Sequence, residues 1–355
     1  MSRKIKVLIV DDSASVRNTL IQILEQDSEI DIIGAVNDPY EAVSKIAQDL
    51  PDVITLDIEM PRMDGLTFLG KLMKQHPIPV VVISSVANEA SENGIKALKL
   101  GAREIITKPK LATQEQFDEY SIRITDAVKA ASMTTKTRLK RPAAVGENAS
   151  LVQSESTFSP EQLSELHSEQ VILIGASTGG TEVISRILKN LRTNLPGILI
   201  VQHMPGEFTR AFANRLDKES NLRVKEAENG DIIKRGNVYI ANGFHHLKLV
   251  KDKGLFKCKL EMGPLVNRHR PSVDVLFNSA TEFPGENISA ILLTGMGADG
   301  AKGMLALNEK GAKTFAQDEK SSVIFGMPKE AIKLNAAQNI GSPEDIINWL
   351  NTSFQ

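Results

Sequence analysis

Chemistry can be read first in five residues of the amino-terminal third: Asp11, Asp12, Asp57, Ser84 and Lys108. Asp11-Asp12 closes the apolar run Val7 to Val10, Asp57 closes Val53 to Leu56, Ser84 follows Pro79 to Ile83, and Lys108 follows Glu104 to Thr107, just before Pro109. An open α/β sheet ordered 2-1-3-4-5 gathers the carboxyl ends of strands one, three, four and five near its topological switch point. Three carboxylates there repel one another, and a hard cation such as Mg²⁺ relieves the repulsion while leaving positions for phosphoryl oxygens. One carboxylate can then attack phosphorus, with Lys108 and the Ser84 hydroxyl stabilising the charge of the transferred group. Asp11-Asp12 alone would read as a strand-to-helix turn with a capping Asp. The conjunction of all five points to phosphoryl chemistry.

A second constellation begins at Gly175-Ala176-Ser177-Thr178-Gly179-Gly180, which follows an apolar strand and opens a helix-like stretch from Thr181 to Leu191. It matches Gly-x-Ser-x-Gly in strand-turn-helix context, where small residues let a tight turn expose the hydroxyl at a helix amino end. A phosphate-cradling or dinucleotide loop is an equally fair reading of this segment alone, although Ser177 takes the place of the second glycine of that fingerprint. A serine nucleophile needs a His base and a carboxylate to orient it. His203 ends the strand Gly197 to Gln202, and Asp299 follows the strand Ile288 to Leu293, both at carboxyl ends where α/β sheets place ligands. The order Ser, His, Asp excludes a standard α/β-hydrolase, whose acid precedes the His. His245-His246 and His269 are rival bases or ligands, but their spacing makes no metal motif, so they read as loop or supporting residues.

The elements that must position these groups follow from the wider pattern. At 355 residues the chain suggests two domains at about 150 residues each, and 41% hydrophobic with 24% charged residues is ordinary globular usage. A net charge of −2 argues against general nucleic-acid binding, and the one cysteine, Cys258, offers neither a disulfide nor a thiolate cage. Short β-branched runs alternating with amphipathic stretches predict an α/β protein with two doubly wound parallel-sheet domains, flavodoxin-like and then Rossmann-like. The expected boundaries are 1–125, a linker over 126–168 that is basic and then Ser, Glu and Gln-rich, and 169–355. A short helix is expected from Ser159, and alternation over Val238 to Leu260 around Asp252-Lys253-Gly254 predicts a β-hairpin inserted on one sheet edge. No apolar run approaches the ~18 residues of a membrane span, and the run after Met1-Ser2-Arg3-Lys4 stops at Asp11-Asp12, so a cytoplasmic protein with no membrane insertion is expected.

With Asp57-Ile58-Glu59-Met60-Pro61 and Asp64-Gly65 added, the first 125 residues resemble the receiver domain of bacterial response regulators. That resemblance implies phosphorylation of Asp57, Mg²⁺ held by Asp12 and Asp57 with Asp11 and the Glu59 carbonyl assisting, and phosphoryl sensing by Lys108. Three residues before Lys108, where many receivers carry an aromatic residue that swings on activation, this chain has Ile105. The glycine-rich turn, Gln202-His203-Met204-Pro205, Arg268-His269-Arg270-Pro271-Ser272-Val273-Asp274 and Leu293-Thr294-Gly295-Met296-Gly297-Ala298-Asp299-Gly300 together resemble the catalytic domain of chemotaxis protein-glutamate methylesterases. This implies Ser177 as nucleophile, His203 as general base and acid, Asp299 as its orienting carboxylate, the Met296 N–H near the oxyanion and Thr178 beside the triad. The family implies glutamate γ-methyl esters on chemoreceptor cytoplasmic domains as substrate, with glutamine deamidation by the same path. A histidine kinase would donate the phosphoryl group, and the second domain calls for no cofactor. Two rivals differ in class. A DNA-binding output domain lacks a basic recognition helix, and a nucleotide-binding module lacks the acidic residue about 20 positions beyond the glycine-rich turn.

Overall fold

The computed structural model describes residues 3–85, 88–109, 113–134 and 167–354. The chain divides into two compact units, Met1–Pro142 and Ala143–Gln355. The first alternates strand and helix: β1 (Ile5–Val10), α1 (Ala14–Leu24), β2 (Ile30–Val36), α2 (Pro39–Gln48), β3 (Val53–Asp57), α3 (Gly65–Gln75), β4 (Val80–Ser84), α4 (Asn88–Lys99), β5 (Glu104–Thr107) and α5 (Gln114–Ser132). Its sheet runs β2-β1-β3-β4-β5 with every pair parallel, the expected order. β3 and β4 are buried along their whole length, which is why they read as continuous apolar runs rather than alternating ones. Side chains of Ser13, Asp38, Asp64 and Thr113 accept from the first-turn amides of α1, α2, α3 and α5, fixing where each helix starts.

The carboxyl end of this unit differs from the sequence reading. α5 runs past residue 125 to Ser132 with Ala127, Val128, Ala130 and Ala131 buried. Lys129, which falls within the expected basic linker, instead lies 2.7 Å from Asp27 Oδ2 and 3.0 Å from Glu29 Oε2. Residues 126–134 therefore belong to the first unit; their basic and polar residues lie on a helix whose small apolar face is buried. The remaining linker positions up to 166, with the helix expected from Ser159, lie outside the described residues.

The second unit contains β6 (Val171–Ala176), α6 (Gly180–Lys189), β7 (Gly197–Gln202), α7 (Gly206–Glu219), β8 (Arg223–Glu226), β9 (Asn237–Ile240), β10 (His246–Asp252), β11 (Leu255–Glu261), α8 (Val273–Ala280), β12 (Ile288–Leu292), α9 (Ala301–Glu309), β13 (Lys313–Gln317), α10 (Met327–Lys333), β14 (Asn339–Gly341) and α11 (Pro343–Ser353). Seven of these strands form one parallel sheet, β14-β13-β12-β6-β7-β9-β8. The chain winds outward from β6 to one side and later from β12 to the other, so the switch point lies between β6 and β12.

The hairpin expectation needs correction. β9, at the start of the window Val238 to Leu260, is an interior strand of the main sheet, whereas only β10 and β11 form the hairpin, as a separate two-stranded sheet. Lys253 (φ 50°) and Gly254 (φ 83°) make its tight turn, as two-residue hairpin loops require. Its inner side chains, Leu247, Leu249, Phe256 and Cys258, share a core with Val273, Leu276 and Phe277 of α8. One alternating window thus spans two sheets, because a buried four-residue strand and a hairpin share the same period. Among the described residues no helix is long and apolar enough to cross a membrane.

Candidate active site

In the first unit, β1, β3, β4 and β5 deliver the acidic and basic groups to one sheet edge. Lys108 Nζ lies 2.6 Å from Asp57 Oδ2 and 3.5 Å from Asp11 Oδ2. Asp57 Oδ1 accepts from the Glu59 amide at 3.0 Å, and Asp11 Oδ1 from the Ser13 amide at 2.8 Å. Asp11 and Asp57 are buried and Asp12 is exposed, with ligand oxygens of all three within 4.8 Å of one another. Burial pushes the Asp57 carboxyl up to about 6, against the Lys108 hydrogen bond, and the Asp11 charge adds to the rise. Burial also raises Asp11, against the opposing charge of Lys108. For Lys108 burial acts downward, but the hydrogen bond to Asp57 and the charges of Asp57, Asp11 and Asp12 outweigh it and raise the ammonium. Ser84 is buried at the end of β4, its hydroxyl 3.5 Å from the Ser85 carbonyl. The Glu59 side chain turns elsewhere and accepts from Ser85 Oγ at 2.6 Å. Ile105 is buried within β5.

In the second unit, Ser177 occupies the turn between β6 and α6. Its amide donates to the Thr294 carbonyl at 3.0 Å, and the Gly180 amide donates back to the Ser177 carbonyl at 2.8 Å. Two glycines permit this turn. Gly179 has φ +81° and lies against Val323, and a Cβ on Gly295 would stand 2.6 Å from Ser177 Cβ and 2.4 Å from Met327 Sδ. His203 follows β7, and its amide donates to the Ala176 carbonyl at 3.0 Å, tying it to the residue before Ser177. Its Nε2 is 2.8 Å from Asp299 Oδ2, and its buried Nδ1 has no hydrogen-bond partner among the described residues. Thr178 is buried, with its carbonyl accepting from Thr294 Oγ1 at 3.1 Å. Met296 is partly exposed on a turn fixed by the Gly326 and Met327 amides, which donate to the Gly295 carbonyl at 3.1 and 2.9 Å.

Asp299 is buried among five donors. Oδ2 faces His203 and accepts from the Val273 amide at 2.7 Å; Oδ1 accepts from Asn267 Nδ2 at 2.7 Å, Ser272 Oγ at 2.8 Å and the Asp274 amide at 3.1 Å. Burial works to raise this carboxyl, yet the hydrogen bond and charge of His203, with Asn267 and Ser272, hold it well below the usual carboxylate range. The Val273 and Asp274 amides belong to the first turn of α8, so the helix amino end also favours the anion. An ionised Asp299 makes His203 Nε2 the protonated nitrogen and leaves Nδ1 as the basic one.

Several supporting residues had no assigned role in the sequence reading. Gln202 Nε2 donates to the carbonyls of Ser177 (3.0 Å) and His203 (3.1 Å), joining the two turns. Asn267 Nδ2 also donates to Asp274 Oδ2 at 2.7 Å, bridging two buried carboxylates. Gln317 Oε1 accepts from the Thr294 amide at 2.8 Å. The available signal was position: Gln202 precedes His203, and Ser272 to Asp274 lie within a motif quoted without a function. Of the other histidines, His246 accepts at Nδ1 from the Ser272 amide (3.2 Å) and faces the Pro264 carbonyl with Nε2 (2.9 Å), which makes it a buried neutral ring. His245 faces Asn242 Oδ1 at 3.2 Å, and His269 stacks on His203.

Comparison with known proteins agrees with this architecture. Residues 172–350 match the CheB methylesterase family and residues 7–117 the response regulator receiver domain. A protein-glutamate methylesterase/protein-glutamine glutaminase of Rhodospirillum rubrum is 51% identical over 350 residues, covering 96% of each chain. One of Rhodopseudomonas palustris is 47% identical over 353 residues, covering 98% of this chain and 96% of the relative. The crystal structure of the Thermotoga maritima CheB methylesterase catalytic domain covers 52% of this chain and 98% of its own, with 39% identity and a TM-score of 0.51.

Proposed function

The chain belongs to the CheB methylesterase family, and on that premise we propose that it is a phosphorylation-controlled serine hydrolase of glutamate γ-methyl esters on chemoreceptor cytoplasmic domains. The observation that carries the reading is the buried His203–Asp299 pair, whose unpartnered Nδ1 stands on the element tied to the Ser177 turn. Ser177 Oγ attacks the ester carbonyl while His203 Nδ1 takes its proton, and Asp299 supports the imidazolium. The Met296 N–H serves the tetrahedral oxyanion, with Thr178 alongside. Collapse of the intermediate sends the His203 proton to the leaving methoxide, giving methanol and a glutamyl ester of Ser177. Water, deprotonated by His203, then releases the carboxylate and restores the serine. Receptor glutamine follows the same steps with ammonia as the leaving group.

Control is assigned to the first unit. Asp57 is the phosphoacceptor; its carboxyl, pushed up to about 6, is still ionised and nucleophilic at neutral pH. A histidine kinase is the donor. Three converging carboxylates, with Asp11 Oδ2 buried and lacking a hydrogen bond, suit a hard cation, so Asp11, Asp12, Asp57 and the Glu59 carbonyl are the residues that would hold Mg²⁺. When bound, Mg²⁺ offsets the charge of the carboxylates and of the incoming phosphoryl oxygens. Lys108 and the Ser84 hydroxyl then hold the phosphoryl group on Asp57. Phosphorylation shifts the population of the chain towards its active state. We place the protein in the cytoplasm, where such receptors present these domains.

The test is methanol release from methylated chemoreceptor membranes, with and without a small phosphodonor and Mg²⁺. Release is expected to vanish in Ser177→Ala and to lose its phosphodonor response in Asp57→Asn. Removal of residues 1–150 is expected to raise the basal rate. No release from the unsubstituted chain under phosphorylating conditions would sink the esterase reading.

A further inference from the structure

Within the Arg268 to Asp274 segment, His269 has no role in the steps above, yet its ring lies directly against the base. The His269 and His203 rings are stacked, with centroids 3.7 Å apart and planes 18° from parallel. His203 is therefore held at one edge by Asp299 and on one face by His269, which leaves Nδ1 as the nitrogen without a hydrogen-bond partner among the described residues. His269 is itself anchored: its amide donates to the Val266 carbonyl at 2.9 Å and its carbonyl accepts from the Val266 amide at 3.0 Å. Asn267 and Ser272, on either side of it, both donate to Asp299 Oδ1. One short segment thus fixes the carboxylate and the stacked ring together.

We propose that His269 is a positioning residue for His203, acting through its stacked ring. Resting on the proposed esterase reading, the argument has two physical parts. A flat ring in van der Waals contact blocks rotation of the His203 imidazole about its Cβ–Cγ bond, so the basic nitrogen keeps its aim. A neutral π-face also receives the imidazolium that forms as His203 takes the Ser177 proton, whereas two protonated rings at 3.7 Å repel strongly. Charged and titratable groups near the pair among the described residues include Asp299, Asp274 across Asn267, Arg268 and Arg270 on the same segment, and His246 behind Ser272. At this separation a charge on one ring opposes a charge on the other.

The experiment uses the full chain labelled with ¹⁵N-histidine, unsubstituted and as His269→Ala and His269→Phe, with side-chain NMR titration beside esterase kinetics. The expected titration shows His203 and His269 each sensing the other's protonation, and His203 following a single step in both variants. In kinetics His269→Ala is expected to lower kcat about 10- to 100-fold, the scale of a misaimed base, with KM changed less than about twofold. His269→Phe, which restores a flat ring without a proton, recovers most of that loss. An unchanged kcat in His269→Ala, or a His203 titration indifferent to both substitutions, overturns the proposal. The NMR arm needs no turnover, so a coupled titration in a chain that releases no methanol would sink the esterase reading and leave the ring pair standing.

Discussion

Asp57 and Asp299 are both buried aspartates at carboxyl ends of parallel strands, and their environments push them in opposite directions. Asp57 has one ammonium and one amide, with Asp11 adding like charge, so burial wins and the carboxyl rises to about 6. Asp299 has an imidazole, two helix amides, an amide side chain and a hydroxyl, so the donors win and it stays ionised. The difference fits the two proposed tasks. A carboxylate proposed to react with phosphorus is left short of partners, and one proposed only to hold a neighbour is saturated.

Breaking the saturated site has the larger expected effect. Ser177→Ala removes the proposed nucleophile and should lower kcat by at least about 10³-fold, measured as methanol release, with the fold unchanged by circular dichroism. Asp299→Asn keeps the size but frees the His203 tautomer, and a loss of about 10³- to 10⁴-fold in kcat is expected. Ser272→Ala takes one of five donors from Asp299 and should cost only about 3- to 30-fold, because four remain. A loss in Ser272→Ala as large as in Asp299→Asn would mean that the donors do not share the work.

At the unsaturated site the expected effect is smaller and has the opposite sign for stability. A carboxyl raised in the folded state destabilises it once ionised, so stability falls as pH rises from about 4 to about 6 and stays low above. Asp57→Asn should therefore stabilise the receiver's urea transition at pH 7.5 by about 1–3 kcal/mol, with the gain vanishing near pH 4. Asp11, 3.5 Å from Lys108 in the unsubstituted chain, is expected to remain its partner in that variant. Adding Mg²⁺ should stabilise the unsubstituted receiver and narrow the gap between the two chains.

Much of this comparison was legible in the amino-acid order, for a physical reason. Strand ends in parallel α/β sheets are forced to one edge, so apolar runs offered Asp11, Asp57 and Lys108, and Ser177, His203 and Asp299, as candidates for shared edges, while the roles of the second set came only with the family resemblance. The donors around Asp299 could not. Asn267 and Ser272 reach it from an irregular segment whose path no periodicity encodes, and the His269 stack depends on the same path. The extent of α5 was misread because Lys129 and its neighbours look like linker until Asp27 and Glu29 are seen beside them. β9 was merged with the hairpin because period two does not say which sheet a strand joins.

The contrast between the two carboxylates can be measured directly by ¹³C NMR titration of the aspartate side chains in the metal-free full chain. The expected result is an Asp57 midpoint near 6 and no Asp299 titration down to the acid limit of folding. An Asp57 midpoint below 4, or an Asp299 carboxyl that titrates above it, would contradict the account.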